Sequence, residues 1–149
     1  MSTPLVDRER VSRNARQFTK FAIVGGSGVI VNLAVFNATL IVWHLATGRP
    51  LSNLGLTADY TANGLGFVVS VVSNYYFNRR WTFRSTGRVA TEFAKFLTVS
   101  VVAYGVNLGI FTIAHTVFDL RGNLSQLIAI ACVMPVNFIA NKLWSFRET

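Results

Sequence analysis

Four stretches of this chain carry no charged residue over about the length of a bilayer crossing: Phe21 to Gly48, Tyr60 to Asn78, Phe96 to Phe118 and Gly122 to Asn141. A helix needs about 20 residues to traverse a hydrocarbon core of about 30 Å. Only segments that satisfy their own backbone hydrogen bonds survive there. The windows therefore predict an all-α membrane protein with four transmembrane helices. Composition agrees, since apolar residues make up 52% of the 149 and charged residues only 13%, well below the roughly 25% of a soluble domain. The first window exceeds the core of a signal peptide, which is about 7 to 15 apolar residues, so it is expected to stay as a span. The Gly26-Ser27-Gly28 run inside it lacks the third glycine of a dinucleotide fingerprint.

The second and fourth windows end in the same way. Asn74-Tyr75-Tyr76-Phe77-Asn78-Arg79-Arg80-Trp81-Thr82-Phe83-Arg84 matches Asn137-Phe138-Ile139-Ala140-Asn141-Lys142-Leu143-Trp144-Ser145-Phe146-Arg147 at a constant offset of 63. Each copy reads Asn, aromatic, two variable positions, Asn, a cation, one variable position, Trp, hydroxyl, Phe, Arg. The first and third windows also match, at an offset of 75: Phe18-Thr19-Lys20-Phe21 pairs with Phe93-Ala94-Lys95-Phe96, and Asn32 pairs with Asn107. The difference between the offsets makes the outer loop of the first half 12 residues longer. Each half has an even number of helices, so both insert the same way up, as parallel-repeat helical hairpins related by an axis along the membrane normal. The expected organisation is a basic tail over 1–16, a first two-helix repeat over 17–84, a linker over 85–91 and a second repeat over 92–149.

Orientation follows from the ends of the windows. The tail with Lys20, the loop from Arg79 to Lys95 and the C-terminus hold 12 of the 14 Lys and Arg. By the positive-inside rule both termini and the middle loop are cytoplasmic. The tail, with Arg8, Arg10, Arg13 and Arg16 against Asp7 and Glu9, is expected to be a tail or a short interfacial helix.

Helical spacing places the polar residues. Ala62, Gly66, Ser70, Asn74 and Asn78 recur every fourth residue, as do Ser125, Ala129, Val133, Asn137 and Asn141. Each set forms one stripe, mostly of small residues and ending in two amides. Asn32 and Asn107 lie 12 residues past Lys20 and Lys95, or about 18 Å deeper at 1.5 Å per residue. Two readings of these amides stand: interhelical packing contacts, or a polar path for a sugar. Beside the second reading, Arg79, Arg80, Lys142, Lys20 and Lys95 form a candidate phosphate site at headgroup level, where cations and amide donors suit an anion. The lysines equally fit plain topology determinants that snorkel to the interface. Trp81 and Trp144 fit interfacial anchors, and Arg84 and Arg88 fit contacts with anionic lipid. His44 and His115 fall toward the outer ends and do not align in the repeat.

Several classes are excluded by what is missing. No Asp, Glu, Lys or Arg occurs inside any window, so a coupling carboxylate, the usual mark of a proton relay, is not expected. No nucleophile and base pair or metal-ligand cluster is visible, so neither catalysis nor a metal or other cofactor is expected. The basic residues lie between apolar windows rather than on one soluble face, against nucleic acid as a partner. Cys132, the single cysteine, fits a small packing residue.

The Phe-x-Lys-Phe pairs, Gly25-Gly26-Ser27-Gly28 with Asn32, and the twofold Asn-aromatic-x2-Asn-[Arg/Lys]-x-Trp-[Thr/Ser]-Phe pattern resemble the GtrA-like family of small four-helix membrane proteins. The resemblance covers about residues 17 to 147. It implies a flippase that moves a polyprenyl-phosphate-linked monosaccharide across the bacterial cytoplasmic membrane for cell-envelope polysaccharide glycosylation, beside a membrane glycosyltransferase. Homodimers are compatible with it, and so is a different role, a scaffold that recruits the glycosyltransferase without moving lipid. Lys142 stands where the first copy has Arg79, and Arg80 has no counterpart, so the half-sites are expected to be inequivalent.

Overall fold

A computed structural model describes residues 4–147; the first three residues of the basic tail and the last two of the chain lie outside the described residues. Among the described residues there is no strand. Helix α1 spans Pro4–Thr47, α2 Leu56–Phe77, α3 Val89–Thr116 and α4 Gly122–Ala140. A short 3-10 turn, Leu51–Asn53, follows α1, and a π-helical turn follows α2 (Asn78–Thr82) and α4 (Asn141–Ser145).

The basic segment is not a separate tail. With no Gly or Pro between Val11 and Ala22, nothing interrupts the helix, and α1 runs for 44 residues. At 1.5 Å per residue that is about 66 Å, roughly twice the hydrocarbon thickness. Its end is set by Gly48, whose φ of 67° is the left-handed conformation of a helix C-cap and whose N–H bonds the His44 carbonyl at 2.9 Å.

Three segments are long and apolar enough to cross a membrane: Arg8–Thr47, Val89–Thr116 and Leu124–Ser145. The fourth expected span is helical and long enough at 22 residues. It is not among these three, because Asp59, Asn63 and Asn74 dilute its apolar character. Large apolar side chains such as Ile30, Val102, Tyr104 and Val136 are exposed, the distribution of a protein whose solvent is lipid.

The chain forms two compact units, Ala22–Asn78 and a larger one made of Met1–Phe21 with Arg79–Thr149. In the smaller unit the distal part of α1 packs antiparallel on α2. The Ser70 hydroxyl donates to the Gly28 carbonyl at 2.8 Å, while Asn32, one turn further along α1, meets Gly66, one turn earlier in α2. Small residues allow this approach. A Cβ on Gly66 would lie 2.9 Å from the Asn32 carbonyl oxygen, and one on Gly28 would overlap the Asn74 amide. Ala58 and Ala62 are fully buried on the same face. In the larger unit α3 packs on α4, which buries Ser125, Ala129, Val133 and Asn141. Most residues of both stripes expected from the fourfold spacing are thus buried, while Ser70, Asn74 and Asn137 are half-buried.

Candidate functional site

Each copy of the duplicated signature adopts the same backbone. In an α-helix that passes into a π-turn, one extra residue widens the ring of hydrogen bonds, a rare geometry frequent at functional sites. The Asn78 N–H is shared between the Asn74 and Tyr75 carbonyls, and the Asn141 N–H between those of Asn137 and Phe138. The Phe146 N–H then reaches back five residues to the Asn141 carbonyl at 2.9 Å.

The turns carry polar atoms that the chain does not satisfy. Oδ1 of Asn74 and Asn78 in the smaller unit, and Oγ1 of Thr82, Oδ1 of Asn141 and Oγ of Ser145 in the larger, are buried without a hydrogen-bond partner. Buried polar groups are partnered in the great majority of cases. Among the described residues these orphans all fall on the signature, and two pairs of them, Asn78 with Asn141 and Thr82 with Ser145, are repeat equivalents. The Asn141 Nδ2 does have partners, donating to the Asn137 backbone carbonyl at 2.9 Å and to its Oδ1 at 2.8 Å. Asn137 itself is half-buried, as are Asn107 and Asn32.

All five cations of the candidate phosphate site belong to the larger unit, and the duplication shows in their contacts. The Lys20 ammonium sits 5.0 Å over the Trp81 ring and 3.5 Å from the Trp81 carbonyl; its counterpart Lys95 sits 5.9 Å over Trp144. Phe21 packs edge-on to Phe83 at 6.2 Å, and the equivalent pair, Phe96 and Phe146, lies at 5.9 Å. Phe83 and Phe146, the same position in the two copies, stack on each other at 4.8 Å and 17°. Phe138 joins this cluster through Phe21 and Phe83, at 5.6 and 5.8 Å. Of the lysines, Lys142 sits over a member of this cluster, 5.7 Å from the Phe138 ring centroid. Cation–π attraction positions each ammonium over its ring face.

The two copies diverge at their first cation. Arg79 donates from Nε to Glu92 at 2.7 Å and from Nη2 to the Gly87 carbonyl at 2.7 Å. Glu92 is buried and also accepts from the Ser85 hydroxyl. Lys142 instead donates to Asn14 Oδ1 at 2.5 Å and Gln17 Oε1 at 2.6 Å on α1. Arg80 is exposed, and so are Trp81 and Trp144, as interfacial anchors should be. Sequence reasoning missed Glu92, which counted there only as one more charge. It also missed that His44 and His115 do equivalent work: each Nδ1 bonds the carbonyl five residues on, Arg49 at 2.5 Å and Leu120 at 2.8 Å, where α1 and α3 end.

Between α3 and α4 runs an apolar groove of about 330 Å³, lined among others by Val102, Val106, Cys132 and Val136 and including Asn137 and Trp144. The larger unit thus combines a lipid-facing slot with cations held over aromatic rings.

Long apolar helices and a duplicated amide, cation and tryptophan turn define a helical membrane protein. The family model for the GtrA/DPMS transmembrane domain matches residues 20–146, and the chain belongs to that family. It is similar to two proteins of Bacillus subtilis (strain 168) described as uncharacterized membrane proteins. It is 24% identical to YwcD over 134 residues, covering 87% of this chain and 95% of YwcD. It is 27% identical to YngA over 137 residues, covering 87% of this chain and 79% of YngA.

Proposed function

We propose that this protein translocates a polyprenyl-phosphate-linked monosaccharide across the bacterial cytoplasmic membrane, for glycosylation of a cell-envelope polysaccharide. In this reading four helices form two hairpins inserted in the same sense, with both termini cytoplasmic, and a membrane glycosyltransferase supplies the lipid-linked sugar. The phosphate docks at Lys20, Lys95, Lys142 and Arg80, with Arg79 held beside them by Glu92. The sugar follows the amides of Asn74, Asn78, Asn137 and Asn141, then Asn32 and Asn107, while the polyprenyl chain stays in lipid. No covalent step is involved, and the gradient of the lipid-linked sugar, maintained by its consumption outside, drives movement.

The observation that supports this reading is that Lys20, Lys95 and Lys142 each sit over an aromatic ring of the duplicated signature, Trp81, Trp144 and Phe138, in a chain whose family match runs from Lys20 to Phe146. Purified protein in liposomes should accelerate externalisation of a short-chain polyprenyl-phosphate sugar. Replacing Lys95 and Lys142 together by Ala should slow it by about tenfold or more, the equivalent of one charge-assisted hydrogen bond. No acceleration over protein-free liposomes would refute the proposal. Normal movement in a deletion strain, together with loss of glycosyltransferase localisation, would favour the scaffold instead.

A further inference from the structure

The basic face of α1 closes a second site that shares only Lys20 with the transport reading. Arg8, Ser12, Arg16 and Lys20 follow one another at fourfold spacing, flanked by Glu9, Arg13 and Gln17, so they form one face of the helix. Within the larger unit this face and the segment Thr82-Phe83-Arg84 enclose an open groove of about 560 Å³. Five cations line it, Arg8, Arg13, Arg16, Lys20 and Arg84, against one carboxylate, Glu9.

Like charges three and four residues apart on a helix repel, so this face is disfavoured until an anion fills the groove. Two further features point the same way. Thr82, 3% exposed, lies in the lining, and its hydroxyl has no partner. Arg84 is held at a φ of 52°, a left-handed conformation that costs a non-glycine residue energy and that clusters at ligand clamps. Most of the α1 wall precedes residue 20, where the family match begins.

We propose that this groove binds a phosphate monoester dianion. A monoester carries about −1.5 to −2 charges near neutral pH, whereas a diester carries one. An excess of four positive charges therefore favours the monoester, and the bidentate geometry of several guanidinium groups suits its oxygens. The group comes from a membrane lipid or from a soluble phosphate. It is not the cargo proposed above, which is a diester.

The test uses the full-length protein in phosphatidylcholine nanodiscs at pH 8, doped with equal small amounts of phosphatidic acid (monoester) or phosphatidylglycerol (diester). Lipid retention is counted by native mass spectrometry. Phosphatidic acid should be retained about threefold to tenfold better, the effect of one more unit charge in a screened groove of this net charge. Neutralising Arg13 and Arg84 together to Gln should abolish the preference. Neutralising Arg121 and Arg147, which lie outside the groove and remove the same charge, should leave it intact. Thr82→Val should weaken it without lowering the unfolding temperature. A calorimetric titration with phenyl phosphate in undoped nanodiscs identifies the source: binding there points to a soluble phosphate, and retention of phosphatidic acid alone points to a lipid. Equal retention of the two lipids, or equal loss of preference in the two double variants, would overturn the proposal. Transport is not measured, so a failed flippase assay leaves this outcome unaffected.

Discussion

Removing Glu92 should destabilise this protein more than a loop-side carboxylate normally would. Its side chain is 6% exposed, and that of its partner Arg79 is 18% exposed, so the pair is sheltered from the screening that makes surface ion pairs worth little. Breaking a buried pair by deleting one member costs about 3 to 5 kcal/mol, because the other charge is left uncompensated. The residual exposure of Arg79 puts the expectation at the lower end, about 3 kcal/mol for Glu92→Gln. In a chain of this length that corresponds to a fall in unfolding temperature of roughly 6 to 12 °C. The assay is a double-mutant cycle of Glu92→Gln, Arg79→Gln and the double variant in detergent, followed by tryptophan fluorescence. Once one partner is gone, losing the second should cost little, so the double variant should fall short of the sum of the singles by about 2 kcal/mol. Additivity within about 0.5 kcal/mol would show that the pair does not couple, and the structural role assigned to Arg79 would fail. Arg79→Lys sharpens the result. It keeps the charge but cannot serve both Glu92 and the Gly87 carbonyl, and should cost about 1 kcal/mol for the lost hydrogen bond.

Gly28→Ala should destabilise the smaller unit by about 1 to 3 kcal/mol through overpacking against Asn74, and Asn74→Ala in the same chain should restore most of the loss; thermal unfolding of the three variants checks it. Lys20→Met in a Trp144→Phe background and Lys95→Met in a Trp81→Phe background should each change the fluorescence of the tryptophan beneath and lower stability by about 0.5 to 1 kcal/mol, the value of an exposed cation–π contact. A spin label on Cys132, which is exposed and lines the α3–α4 groove, should be relaxed strongly by oxygen and weakly by a water-soluble nickel chelate; the reverse order would place that face in water.

What could be read from the chain was what periodicity encodes. Fourfold recurrence of Ala62 to Asn78 and of Ser125 to Asn141 marks the buried faces, because residues four apart share a side of any helix. The duplication of Lys20 with Trp81 and Lys95 with Trp144 was visible as residues, although not as contacts. The π-turns had no signature of their own: a single widened hydrogen-bond ring leaves the spacing of the flanking residues readable as ordinary helix. The continuity of α1 was hidden by a change of solvent, since charge rises before Phe21 while the backbone, lacking a breaker, stays helical. The inequivalence of the two copies was legible only as Arg79 against Lys142, and the structure supplies its physics. A guanidinium fork is needed where a buried carboxylate and a carbonyl must be met in different directions. An ammonium suffices where two amide oxygens converge on one point charge. Glu92, thirteen residues from Arg79, lies beyond any helical spacing that could announce the pair, so the residue that fixes the first cation was the one that sequence reasoning had no means to single out.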